Sequence, residues 1–81
     1  MEPNTLAATA ANTSDPRMGL RSIVSLRALA DVLELRQVEA ALRAGMSWLE
    51  IADALGVTRQ AVHKKYAKRV DPTIPIPRRT Q

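Results

Sequence analysis

The sequence predicts an all-α chain, a long first helix followed by two short ones, and three observations carry that prediction. Residues 20–44 contain neither glycine nor proline and are rich in Leu, Ala, Glu and Arg, which lose little on entering a helix. Residues 46–66 hold two shorter apolar-periodic segments, each preceded by a hydroxyl residue and separated by Gly56. The whole chain is 81 residues, enough for one small domain with a modest core.

Taken in order, residues 1–19 are expected to be disordered. Ala, Thr and Asn dominate there, Pro3, Pro16 and Gly19 interrupt, and no apolar period develops. Asp15-Pro16 has the form of an N-cap and first helical residue, but Gly19 follows too soon to extend it. The long helix spans 20–44 and Gly45 ends it, with Glu39 and Arg43 at the spacing of a favourable i, i+4 ion pair. About 24 helical residues extend roughly 36 Å, more than two short helices need for support. Leu35, Val38, Ala41 and Leu42 suffice to cover them. Upstream, Ile23, Leu26, Leu29 and Leu33 are surplus apolar surface and are expected to mediate self-association.

The first short helix spans 48–55. Ser47 and Glu50 have the S-x-x-E spacing of a capping box, and Met46 with Ile51 has the spacing of a hydrophobic staple. Gly56 follows the last apolar residue, where a left-handed backbone costs glycine little. Thr58 is a suitable N-cap for the next helix, over 58–70, in which Val62, Tyr66 and Val70 recur every fourth residue and face the core. Two capped helices joined through so short a turn make a helix-turn-helix. Asp71-Pro72 stops the last helix, and 71–81 is expected to be an extended, proline-rich basic tail.

Several classes of function find no support. There is no cysteine and a single histidine, so no thiolate site, disulfide or histidine-pair metal site is available. No apolar run is long enough for a bilayer, and the start has the wrong polarity for an export signal, so a soluble, cytoplasmic chain is expected. No phosphate loop, nucleophile or paired acid and base is visible, and neither enzyme activity nor a cofactor is expected.

Charge distribution is more informative than the net +4. Residues 1–58 hold five basic and seven acidic side chains, or −2, whereas 59–81 hold seven basic ones against Asp71 alone, or +6. Such a basic third is the footprint of a polyanion-binding face. Opposite the expected core stripe of the second short helix lie Arg59, Gln60, His63 and Lys64. They start at the helix end that enters a major groove in this architecture, where Arg pairs with guanine and Gln with adenine. Thr58, Lys65, Lys68, Arg69, Arg78 and Arg79 suit phosphates, which position a protein without reading sequence.

The run Ile51-Ala52, then Leu55-Gly56-Val57-Thr58-Arg59-Gln60-Ala61-Val62, resembles the helix-turn-helix of bacterial DNA-binding proteins of the homeodomain-like and sigma-factor region 4-like group. It is similar above all to small stand-alone bacterial members carrying G-x-S-W-x-E-I-A-x-x-L-G-V-[ST]-R-Q-A-V-H. The likeness covers residues 33–70. Lys65 stands where many members carry an apolar residue, and Tyr66 is expected to pack in its place. The resemblance implies a three-helix DNA-binding domain, with 48–55 bracing and 58–70 as recognition helix. It implies a transcriptional regulator that binds double-stranded DNA at the nucleoid, and the surplus apolar surface of the long helix makes a homodimer the expected form. Two other functions fit the same scaffold. One is a protein-contact adaptor for a sigma factor or another regulator, using the apolar upstream helix. The other is a non-specific nucleoid-type binder using the lysine cluster, against which Arg59-Gln60 argues, because packaging needs no base-reading side chains.

Overall fold

The computed structural model describes residues 3–75, and every regular element among them is helical. Four helices follow in order: α1 (Pro3–Ala11), α2 (Pro16–Arg43), α3 (Trp48–Leu55) and α4 (Arg59–Tyr66). Among the described residues no helix is long and apolar enough to cross a membrane. The chain divides into two compact units, Met1–Leu33 and Glu34–Gln81, and α2 contributes its first part to one and its last part to the other.

The first unit corrects the expectation of disorder over 1–19 for residues 3–19, residues 1 and 2 lying outside the described ones. α1 forms because four of its nine residues are alanine and Pro3 stands at its start, where a missing N–H costs nothing. Asn12 then turns the chain, its Oδ1 accepting the Ser14 N–H (3.0 Å) and hydroxyl (2.7 Å). The Asp15 carboxylate accepts the Met18 N–H at 3.2 Å and its carbonyl accepts the Gly19 N–H at 2.9 Å. That cap and Pro16 start α2 four residues earlier than the sequence predicts. Gly19 does not break the helix, because it is buried against the carbonyls that end α1. Leu6 and Ser22 are also buried in this unit.

The second unit holds the main core. Val38 and Leu42 come from α2, Trp48, Ile51 and Ala52 from α3, and Val62 and Tyr66 from α4. α2 ends in paired bonds that satisfy its last carbonyls: Met46 N–H to Ala41 O and Gly45 N–H to Leu42 O, both 3.0 Å, with Gly45 at φ 91°. The same pattern ends α3, with Val57 N–H to Ala52 O (3.0 Å), Gly56 N–H to Asp53 O (3.2 Å) and Gly56 at φ 72°. The capping box at the start of α3 is complete. Ser47 Oγ accepts the Glu50 N–H at 3.1 Å and Glu50 Oε1 accepts the Ser47 N–H at 2.9 Å. The backbone bond from Ser47 and then its hydroxyl hold the Glu50 carboxyl below its ordinary pKa of 4.5.

Two expectations about the C-terminal part are corrected. α4 ends at Tyr66 instead of Val70, and the chain tightens there, the Arg69 N–H bonding to Tyr66 O at 2.9 Å. Residues 71–75 are no tail. Asp71 Oδ1 accepts the Thr73 N–H (2.9 Å) and hydroxyl (2.8 Å), Ile74 N–H reaches Asp71 O (3.0 Å), and Val70 and Ile74 are both buried in the core. The helix has already ended at Tyr66, ahead of Pro72, and the aspartate turn around the proline sends Ile74 back inward. Glu39 and Arg43, expected to pair with each other, both meet this turn. Glu39 Oε2 accepts the Asp71 N–H at 2.9 Å, and the Arg43 guanidinium lies 3.8 Å from the Asp71 carboxylate.

Two glycines should respond to substitution with opposite signs. A Cβ on Gly56 meets nothing within 4 Å, but the backbone there is left-handed, so Gly56→Val should cost on the order of 1–3 kcal/mol. A Cβ on Gly19 would stand 3.6 Å from its nearest neighbours in an ordinary helical backbone, so Gly19→Ala should stabilise by up to about 1 kcal/mol. Thermal melting of both variants checks this, and a lowered midpoint for Gly19→Ala would contradict the packing described for α1.

Candidate nucleic-acid interface

α4 is built to show one side and bury the other. Thr58 caps it with extended backbone (φ −77°, ψ 156°), its hydroxyl accepting the Ala61 N–H at 3.1 Å. Val62 and Tyr66 are buried, and at 100° per residue this places Gln60 and Lys64 on the side directly away from the core. His63 lies one flank over, and Arg59 falls beside Tyr66 at the core edge of the wheel, exposed at the first position of the helix. All four of these base-reading candidates are exposed, within a turn and a half of the helix start. His63 is the most constrained of them, since its ring meets Trp48 edge to face at 5.2 Å between centroids and 81° between planes. Trp48 itself is buried in the core.

The backbone-contact candidates are less unified. Lys65 turns to the other flank, where its Nζ lies 3.1 Å from Glu34 Oε1 and 5.2 Å from the centre of the Tyr66 ring. The structure therefore does not bring Lys65 together with Lys64. Lys68 and Arg69 are exposed but stand beyond the end of α4, in the tightened turn, so they do not prolong its helical face. The Arg69 guanidinium carbon lies 5.3 Å from the centre of the Tyr66 ring. Thr58 is engaged as the cap. Arg78 and Arg79 lie outside the described residues.

Glu34 is the residue that sequence reasoning missed. Tyr66 is completely buried, and its hydroxyl donates to the Glu34 carboxylate, which also receives Lys65. The partners are 31 and 32 residues apart, so no short-range spacing signals them. Burial, and secondarily the Glu34 bond, raise the Tyr66 pKa above its ordinary 10.0. A shallow hollow of about 140 Å³ opens beside this cluster, lined by Glu34, Leu55, Val57, Ala61, Lys65 and the core side chains Val62 and Tyr66.

From Arg59 to Arg69 the chain carries five Lys and Arg side chains and no acidic one. A helix start adds the positive end of its dipole to that field. Among the described residues no group of three or more His, Asp or Glu side chains lies placed to hold a metal ion. No family model matches the chain, and neither a curated protein nor a solved structure shows significant similarity to it.

Tyr66 is the only tyrosine, so its ionisation can be followed directly by tyrosinate absorbance. The folded chain should titrate above 10.0, and the same chain in denaturant at the ordinary value. Because the folded pKa is the higher one, the stability that Tyr66 contributes is complete below pH 10 and is lost as pH climbs through the raised value. Glu34→Gln should lower the folded midpoint without restoring it fully, because burial is the larger cause. Titration of the folded wild type at the denatured value would contradict this placement of the hydroxyl.

Proposed function

We propose that the chain is a sequence-specific DNA-binding regulator of transcription with a helix-turn-helix, related to the small bacterial members of the homeodomain-like and sigma-factor region 4-like group. In this reading α3 braces the fold, α4 is the recognition helix in the major groove, and the protein works at the nucleoid as a homodimer. The observation that carries it is the exposed set Arg59, Gln60, His63 and Lys64 on the first turns of a capped helix, with Gln60 and Lys64 directly opposite the buried Val62 and Tyr66 and Arg59 at its free start. An anchored back and a free front give base-reading side chains a fixed aim. Arg59 and Gln60 can each make two hydrogen bonds to one purine, guanine for Arg and adenine for Gln. Lys68 and Arg69, past the helix end, serve phosphates.

Two variants separate reading from holding. Arg59→Ala should cost roughly 1–3 kcal/mol on a selected duplex and less on a scrambled one, so the ratio between them falls. Lys68→Ala should weaken both duplexes about equally and reduce the salt slope by about one unit per protomer. Binding isotherms on the two duplexes across a salt series provide the measurement. Equal losses on both duplexes for Arg59→Ala would remove the base-reading role of α4, and wild-type binding that is uniform across sequences would replace a regulator with a packaging protein.

A further inference from the structure

The three most exposed large apolar side chains among the described residues are Leu20 and Val24, both 64 % exposed, and Leu49 at 61 %. Each stands among charges of one sign. Leu20 and Val24 share one side of α2, with Arg17, Arg21 and Arg27 each within a turn of them and no acidic residue from 16 to 30. An open hollow of about 410 Å³ lies there, lined by Arg17, Leu20 and Arg21. At 100° per residue this side turns away from the buried Gly19 and Ser22, and all five of its side chains are exposed. Leu49 has the opposite company. It shares the outer side of α3 with Glu50 and with Asp53 one turn on, both exposed, and α3 carries no basic residue.

We propose that α2 of one copy docks on α3 of another through these two faces, Leu49 entering the hollow beside Leu20 while Glu50 and Asp53 meet Arg17 and Arg21. This rests on the reading of the chain as a homodimer and names the surfaces that join the copies. The occupant is a second copy because the chain itself carries the complement, an apolar centre with arginines on one helix and an apolar centre with carboxylates on the other. The faces pair with each other and not with themselves. Two α2 faces would set arginine on arginine, and two α3 faces carboxylate on carboxylate. Phosphates would satisfy the arginines but leave Leu20 and Val24 without an apolar partner, and those two side chains are too few to hold a helix in a lipid surface. Ile23, Leu26 and Leu29 of the same helix are half-buried within their unit and have less surface to offer. So few side chains fall short of the roughly 800 Å² per partner of a standard interface, so a homodimer requires the contact twice, each copy giving one face and receiving the other.

Because the chain has no cysteine, single cysteines report the contact cleanly, and every position replaced is exposed. Without DNA and at low salt, Leu20→Cys mixed with Leu49→Cys should give a disulfide-linked pair under mild oxidation, with circular dichroism confirming that each variant is helical. Either variant alone should stay unlinked. Adding Arg21→Glu to the Leu20→Cys chain should cut the yield sharply, and adding Asp53→Arg to the Leu49→Cys chain should then restore it. Asp53 serves the end of α3 through its backbone carbonyl, so its side chain can be exchanged. Wild-type sedimentation, which needs no variant, should show a dimer at tens of micromolar in low salt that dissociates in high salt, as exposed charges are screened. Equal linking in the mixture and in the single variants, or a yield indifferent to Arg21→Glu, would overturn the contact. A wild-type dimer unchanged by salt, with no link between positions 20 and 49, would overturn it and leave the homodimer standing. A wild-type monomer in low salt would overturn both, and DNA binding by that monomer would leave the reading of α4 untouched.

Discussion

The hydroxyl of Tyr66 is the constraint on which the second unit depends. The side chain is wholly buried and is the largest that is, so its one polar atom must find a partner inside or cost the fold its desolvation. Glu34 on α2 supplies that partner, and in doing so settles the rotation of α4 about its own axis. With Tyr66 turned inward beside Val62, Gln60 and Lys64 have only solvent to face. The polar bond and the apolar packing thus act on the same helix for different ends. Packing with Val62 holds α4 down, and the bond to Glu34 selects which of its sides is up. Lys65 meets both the ring and the carboxylate and Arg69 meets the ring, so two of the cations in the basic segment contribute to this anchorage.

The remaining precision comes from the ends of the short helices. α3 is eight residues long, too short to persist in isolation, and both of its ends are closed by bonds within the chain. The capping box fixes its start, the glycine turn its finish, and Thr58 begins α4 after one further residue. Little slack remains between the two helices. The aim of Arg59 is therefore set by three consecutive backbone devices at Gly56, Val57 and Thr58, with no large core to enforce it.

What the sequence made legible was whatever is encoded within one turn. Ser47 with Glu50, Gly56, Gly45, Thr58 and the stripe of Val62 and Tyr66 are all separations of three or four residues, and each appears where the spacing places it. The failures have two physical sources. One is weak contrast: α1 and the start of α2 lack apolar periodicity, and only alanine propensity with the Asp15-Pro16 start signals them. The other is distance along the chain. Glu34 to Tyr66 and Glu39 to Asp71 are each separated by 32 residues, so a local spacing rule paired Glu39 with Arg43 and had no partner to offer Tyr66 or Lys65. Ile74 was lost for the same reason, since its partners in the core lie on helices far upstream.

The bond between Glu39 and Asp71 closes a loop, and α3 and α4 lie wholly inside it. The ordering entropy of that loop is met once, by a clasp made of Glu39, Arg43 and the turn over 71–74, instead of by each helix separately. Closure also decides where the chain leaves the unit. It exits after Ile74 beside the last turns of α2, and not from the free end of α4. A pull on the chain from beyond Ile74 therefore loads this clasp before it loads α3 or α4.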